Sequence, residues 1–100
     1  MTTQIFKYAF TDQASMTDVE AAFLLAIFAV ESLHGESETR LLAEHAMDSE
    51  KRTCVIDAGT DVGQDLNRLF VGFLTREFGP DSFRVERLDA HSAMGRTVSV

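Results

Sequence analysis

The chain has 100 residues, of which 45% are hydrophobic and 25% charged, and its formal net charge is −7. This length and composition are typical of one globular domain that buries a core without metal or disulfide support, which excludes a mainly disordered chain. The acidic balance excludes nucleic acid and anionic membrane surfaces as expected partners, because both attract clustered Lys and Arg.

The first two predicted elements are a strand and a long helix. In "QIFKYAF", residues 4–10, aromatic residues fall at every second position, which is the period of a strand with one buried face. Thr17 and Glu20 match a capping box, and the apolar pattern that follows predicts a helix over about 18–34 that ends at Gly35. Its apolar run is well short of the roughly 20 residues that span a bilayer.

Two further strands are predicted over 39–47 and 51–58, joined by the polar turn "DSE" into a hairpin. The turn sets a register in which Met47 and Arg52 flank it. That register gives three more cross-strand pairs, which are His45 with Cys54, Ala43 with Ile56, and Leu42 with Asp57.

The last predicted elements are a helix and a strand. Apolar residues recur at helical spacing over 61–78, and Gly79 followed by Pro80 marks the end of that helix. Alternation over 82–88 predicts a final strand. We assign residues 1–88 to a single α+β domain and residues 89–100 to a C-terminal tail.

The predicted order of elements is β-α-β-β-α-β, the split arrangement of ferredoxin-like folds. Right-handed crossovers then give a two-layer sandwich, in which four antiparallel strands in the order 4-1-3-2 carry both helices on one face. The residues expected beneath the helices are Phe6, Tyr8, Phe10, Leu41, Ala43, His45, Met47, Cys54, Ile56, Phe83 and Val85. The residues expected on the open face are Lys7, Glu44, Thr53, Val55, Asp57, Arg84 and Glu86.

The stretch "DAGT", residues 57–60, resembles the Asp-x-Gly-Thr phosphate loop of sugar kinases and actin-like ATPases. Those loops join two strands, whereas here an amphipathic helix follows at once. No lysine follows at P-loop spacing, and Asp61 places a carboxylate where an anion would bind. We therefore interpret Asp57 as the end of a strand and Thr60 as the cap of the next helix.

Few residues suggest chemistry, and no cofactor or metal site is expected. Cys54 opposite His45 forms the strongest candidate pair, because an imidazolium lowers the pKa of a nearby thiol. Both residues also fit a core. His34 and Glu36 supply fewer ligands than a metal site needs. Asp57, on the open sheet face, is the remaining catalytic candidate.

The first helix departs from the usual amphipathic pattern. One side is expected to pack on the sheet, with Val19, Ala22, Phe23, Ala26, Ala29, Val30 and Leu33. The opposite side is expected to be polar, yet it carries Leu24, Ile27 and Phe28. Either the C-terminal tail or another subunit is expected to cover these residues, and we favour a subunit interface.

These features predict a small, homo-oligomeric, non-catalytic binding or interaction module whose ligand is unknown. The single Cys54 and the lack of a signal-peptide pattern favour the cytoplasm. Two alternatives stay open. One is a small enzyme that uses Cys54 with His45, or Asp57, and the other is a subunit that packs on a larger, different protein.

Overall fold

The computed structural model describes residues 4–89, which form an α+β fold with a four-stranded antiparallel sheet and three helices. The elements in chain order are β1 (Gln4–Phe10), α1 (Met16–His34), α2 (Glu36–Leu42), β2 (His45–Asp48), β3 (Thr53–Asp57), α3 (Asp61–Phe78), a 3-10 turn (Pro80–Ser82) and β4 (Phe83–Asp89). The strand order β2-β3-β1-β4 is the predicted order read from the opposite edge. The predicted tail lies outside the described residues from position 90 onward.

The core lies between one face of the sheet and the helices α1 and α3. Tyr8, on the central strand β1, is fully buried, and its ring centroid lies 5.0 Å from that of Phe70 on α3. Phe70 also meets Phe23 of α1 edge-on, with 5.1 Å between centroids. The Tyr8 hydroxyl donates to the Asn67 side-chain oxygen, so the polar group of this buried side chain has a partner.

The prediction of a strand over 39–47 is wrong for most of its length, because residues 36–42 form helix α2. Thr39 donates its hydroxyl to the Gly35 carbonyl at 2.8 Å, and Arg40 lies 3.5 Å from Glu36 one turn away. Residues 36–42 are rich in Leu, Arg and Glu, which favour helix over strand. Leu41, predicted to lie in the core, is consequently 74% exposed on α2.

The predicted hairpin register is also wrong, although the strand faces are preserved. His45 pairs with Ile56, and Met47 pairs with Cys54, a shift of two residues along one strand. Arg52 causes the shift, because it has φ 56° and its guanidinium donates to the Phe10 carbonyl at 3.2 Å, so it belongs to the turn. Since side chains alternate with a period of two, the shift leaves Cys54 facing the helices.

Three smaller expectations about side chains also differ from the structure. Helix α1 begins at Met16 after Ser15, so Thr17 does not cap it, and Glu20 instead accepts a hydrogen bond from the Ser49 hydroxyl. Leu33, expected on the sheet side of α1, is 69% exposed. Val85, expected in the core, is 37% exposed because β4 is an edge strand.

Helix α3 spans the predicted residues, and its first turn lies unusually close to the end of β3. A Cβ atom built on Gly63 would lie 2.1 Å from the Asp57 carbonyl oxygen, so only glycine fits there. This close approach places Leu66, Phe70 and Leu74 in the core. The contact therefore sets how closely the first turn of α3 approaches the end of β3.

We expect Gly63→Ala to lower the free energy of unfolding by about 1–3 kcal/mol or more, because backbone atoms on both sides must move apart. Gly72→Ala is the matched control in the same helix, since a Cβ there meets nothing within 4 Å. The control should raise the free energy of unfolding by up to about 1 kcal/mol through helix propensity. Urea denaturation measures both, and equal effects of the two substitutions would contradict the close approach.

Candidate interaction surface

The structure separates the two residues of the predicted thiol–imidazole pair. Cys54 is fully buried, and burial raises the pKa of its thiol from 9.0 to about 12. His45 is exposed, its ring lies against Phe23 with 4.7 Å between centroids, and its Nδ1 is 2.9 Å from the Ala43 carbonyl oxygen. Within residues 4–89, no hydrogen bond joins the thiol to an imidazole. A thiol in this environment stays protonated at neutral pH.

We expect Cys54 in the folded protein to react with iodoacetamide at pH 8 at least tenfold more slowly than in the unfolded chain, because the thiolate is both buried and scarce. Mass spectrometry of timed samples measures the rate of alkylation. Equal rates in both states would restore the nucleophile hypothesis.

The raised pKa of Cys54 also makes the free energy of unfolding fall as the pH rises from about 9 towards 12, since only the unfolded chain readily loses this proton.

A groove of about 450 Å³ on the open sheet face holds the other catalytic candidate, Asp57. Its lining residues are Ile5, Arg40, Ala43, Glu44, His45, Ala46, Val55 and Asp57. Asp57 already accepts a hydrogen bond from the Gly59 amide at 2.8 Å, and Arg40 lies beside Glu36. The groove brings Asp57 and His45 to one place, but their polar atoms bond to the backbone and not to each other.

His34, which was not expected to bind a metal, bonds to a residue that the sequence did not associate with it. Its Nε2 lies 2.7 Å from Asp65 Oδ2, so the pair joins the end of α1 to α3. In the described part of the chain, Asp65 forms no ion pair with Arg68, which lies one turn further along α3. Nor do residues 4–89 contain a group of three or more His, Cys, Asp or Glu placed to hold a metal ion.

The stretch "DAGT" adopts the strand-end and helix-cap geometry that the sequence predicted. Thr60 Oγ1 accepts from the Gly63 amide at 3.0 Å and donates to the Leu42 carbonyl at 2.8 Å. Thr60 therefore caps α3 and also ties it to the end of α2. The exposed Asp61 follows in the first turn of α3, where its carboxylate interacts favourably with the helix dipole.

We expect Thr60→Ala to lower the free energy of unfolding by about 1–2 kcal/mol, because the cap is lost and the Leu42 carbonyl loses its donor. Thr60→Ser, which keeps the hydroxyl, should cost less than about 0.5 kcal/mol. Thermal unfolding measures both values. Calorimetry with ATP, GTP and phosphate should show no binding, and micromolar binding that Thr60→Ala removes would reassign the loop as a ligand site.

The outer side of α1 exposes a run of apolar side chains, which we call the outer stripe: Ala21, Leu24, Leu25 and Phe28. The three large members are 53%, 58% and 57% exposed, in chain order. Ile27, predicted with Leu24 and Phe28, is half-buried and packs against the core. The outer stripe therefore lies on the predicted side of α1. It includes Leu25, which was not predicted, and Ile27 lies at its margin towards the core.

A groove of about 230 Å³ between α1 and α3 continues the outer stripe. We call it the interhelical groove. Ala21, Ala22 and Leu25 line it from α1, and Phe73 lines it from α3. Three charged residues complete its lining, namely Asp18, Arg76 and Glu77. The sequence could not reveal this groove, because it depends on the spacing between two helices that are far apart in the chain.

Among the described residues, no helix has the length and apolarity required to cross a membrane. No protein-family model, curated protein or solved structure matches this chain.

Proposed function

We propose that this protein is a non-catalytic interaction module that self-associates through the outer stripe of α1. The observation that carries the proposal is the exposure of Leu24, Leu25 and Phe28 on one continuous helix surface. Fully burying one such side chain contributes about 1.5–3 kcal/mol. Contiguous exposed apolar surface of this kind is typical of protein interaction sites.

The chemistry of the candidate residues favours an interaction module over the enzyme alternative. The Cys54 thiol is buried and strongly biased towards its protonated form, and His45 packs elsewhere. The enzyme alternative then depends on Asp57, which shares the open-face groove with His45, and that carboxylate already bonds to the backbone of its own loop. Within residues 4–89, neither Cys54 nor Asp57 forms a hydrogen bond to a side chain that could activate it.

We also propose that the fold is a ferredoxin-like sandwich in which α2 is an added helix between α1 and β2. The strand order β2-β3-β1-β4 and the helices that follow β1 and β3 support this assignment. The cytoplasm is the proposed compartment, and the free, buried Cys54 supports it because reducing compartments preserve such thiols.

We expect Leu24→Glu to convert the self-associated protein to monomers, because the substitution places a carboxylate in the buried centre of the contact. Leu41→Glu is the matched control, since Leu41 is also an exposed leucine, 74% accessible, but lies on α2 outside the outer stripe. Sedimentation velocity over a range of protein concentrations measures the result. Urea denaturation of both variants should show intact folding, because both side chains are exposed.

Two results would contradict this proposal. If the wild-type chain is monomeric at every concentration, the outer stripe is covered by the C-terminal tail, which deletion of residues 90–100 would test, or it binds a larger, different protein. Equal loss of association in the Leu24 and Leu41 variants would show that the contact between subunits is not specific to the outer stripe.

A further inference from the structure

We infer that the interhelical groove is the binding site for Phe28 of a second copy of this chain. The inference rests on the proposed function and specifies its geometry. The two α1 helices pack antiparallel about a two-fold axis that passes between Leu24 and Leu25. Each copy then contributes one Phe28 and one groove, so the same contact occurs twice.

The spacing of residues along the outer stripe supports a second copy as the occupant. Phe28 and Ala21 are two helical turns apart and lie on one side of α1, one large and the other the smallest member of the stripe. In an antiparallel pair centred between Leu24 and Leu25, each Phe28 lies opposite the partner's Ala21. Large side chains thus meet small ones at both ends, and leucines meet leucines at the centre.

The shape of the groove provides a place for an aromatic ring. Ala21 and Ala22 carry only methyl groups, which leaves space between Leu25 on one side and Phe73 on the other. Phe73 is half-buried and packs against the core, so core contacts hold its ring in place. A second aromatic ring against it gains the edge-to-face or offset contacts that such pairs prefer.

The groove lining carries two carboxylates, Asp18 and Glu77, and one guanidinium, Arg76, and it is the guanidinium that fits a second copy. Helix α1 contains no Lys or Arg, and its acidic residues are Asp18, Glu20 and Glu31. The antiparallel pair places Glu31 opposite the partner's Asp18, which alone would be repulsive. Arg76 lines the same groove as Asp18 and forms no ion pair with another residue of the described range, so it is available to bind the partner's Glu31.

The first test fills the interhelical groove with a larger side chain of the same chain. Ala21 is exposed, so Ala21→Trp should leave the fold intact while its indole occupies the space that Phe28 would enter. We expect the dissociation constant of the dimer to rise at least about tenfold, because an apolar anchor loses its pocket at two symmetric sites. Non-specific hydrophobic association would instead be strengthened, since the substitution adds apolar surface.

The second test uses complementary variants. Phe28→Ala removes the anchor but keeps the groove, and it should weaken association to a similar extent. When the two variants are mixed in equal amounts, Phe28 of the Ala21→Trp chain enters the open groove of the Phe28→Ala chain. At the other end, the new tryptophan faces the new alanine. We therefore expect a heterodimer at concentrations at which each variant alone is monomeric, measured by native mass spectrometry.

The outcomes separate this inference from the proposed function. If Leu24→Glu yields monomers but Ala21→Trp leaves association unchanged or stronger, the outer stripe is the interface and the groove is not its docking site. If the mixed variants show no heterodimer although each folds, the antiparallel geometry is wrong. If the wild type is monomeric throughout, both the inference and the proposed function fail.

Discussion

The arrangement of this fold depends on a contact that only glycine permits, between the first turn of α3 and the last residue of β3. A side chain at Gly63 would overlap the Asp57 carbonyl oxygen, so the helix backbone lies directly on the strand end. From that point α3 crosses the sheet and brings Phe70 against Tyr8. It also brings Asp65 to His34, and its outward side presents Phe73 beside α1. The helix that starts at this contact thus contributes to the core, to an interhelical hydrogen bond and to one wall of the groove.

A second constraint positions α1. The Arg52 guanidinium donates to the carbonyls of Phe10, Thr11 and Ala14, so the loop between β1 and α1 is held by the hairpin turn. Arg52 itself adopts a left-handed conformation, which is uncommon for a residue with a side chain and is maintained here by these bonds. The start of α1, and with it the direction of the outer stripe, therefore depends on a residue in a distant turn.

Sequence patterns predicted the elements whose periodicity is strong and whose boundaries carry specific residues. Residues 4–10 alternate clearly, and α3 has both a cap at Thr60 and a stop at Gly79, so each was predicted with correct bounds. Residues 36–42 were missed because their leucines fit a short strand as well as a helix, and the bonds that decide between them involve Gly35 and Thr39. The hairpin register failed because the long-range bonds of Arg52 are invisible in local sequence.

On the candidate surface, too, features of a single helix can be predicted from the sequence, whereas features that depend on two elements cannot. The apolar character of Leu24 and Phe28 is a property of one helix and could be read from its sequence. The half-burial of Ile27 depends on how α1 is rotated over the sheet, and the groove beside Leu25 depends on the position of α3. The sequence alone does not reveal features that depend on the relative placement of two elements, such as the His34–Asp65 pair.

The position of β1 in the sheet has a consequence for how the chain folds. Its two neighbours are β3 and β4, so Phe10 finds its partner Phe83 only after nearly the whole intervening chain has been made. Such distant pairing slows folding relative to helical proteins of the same size. Until α3 packs against it, α1 exposes the side that is later buried as well as the outer stripe. During synthesis the chain therefore exposes more apolar surface than the folded protein does.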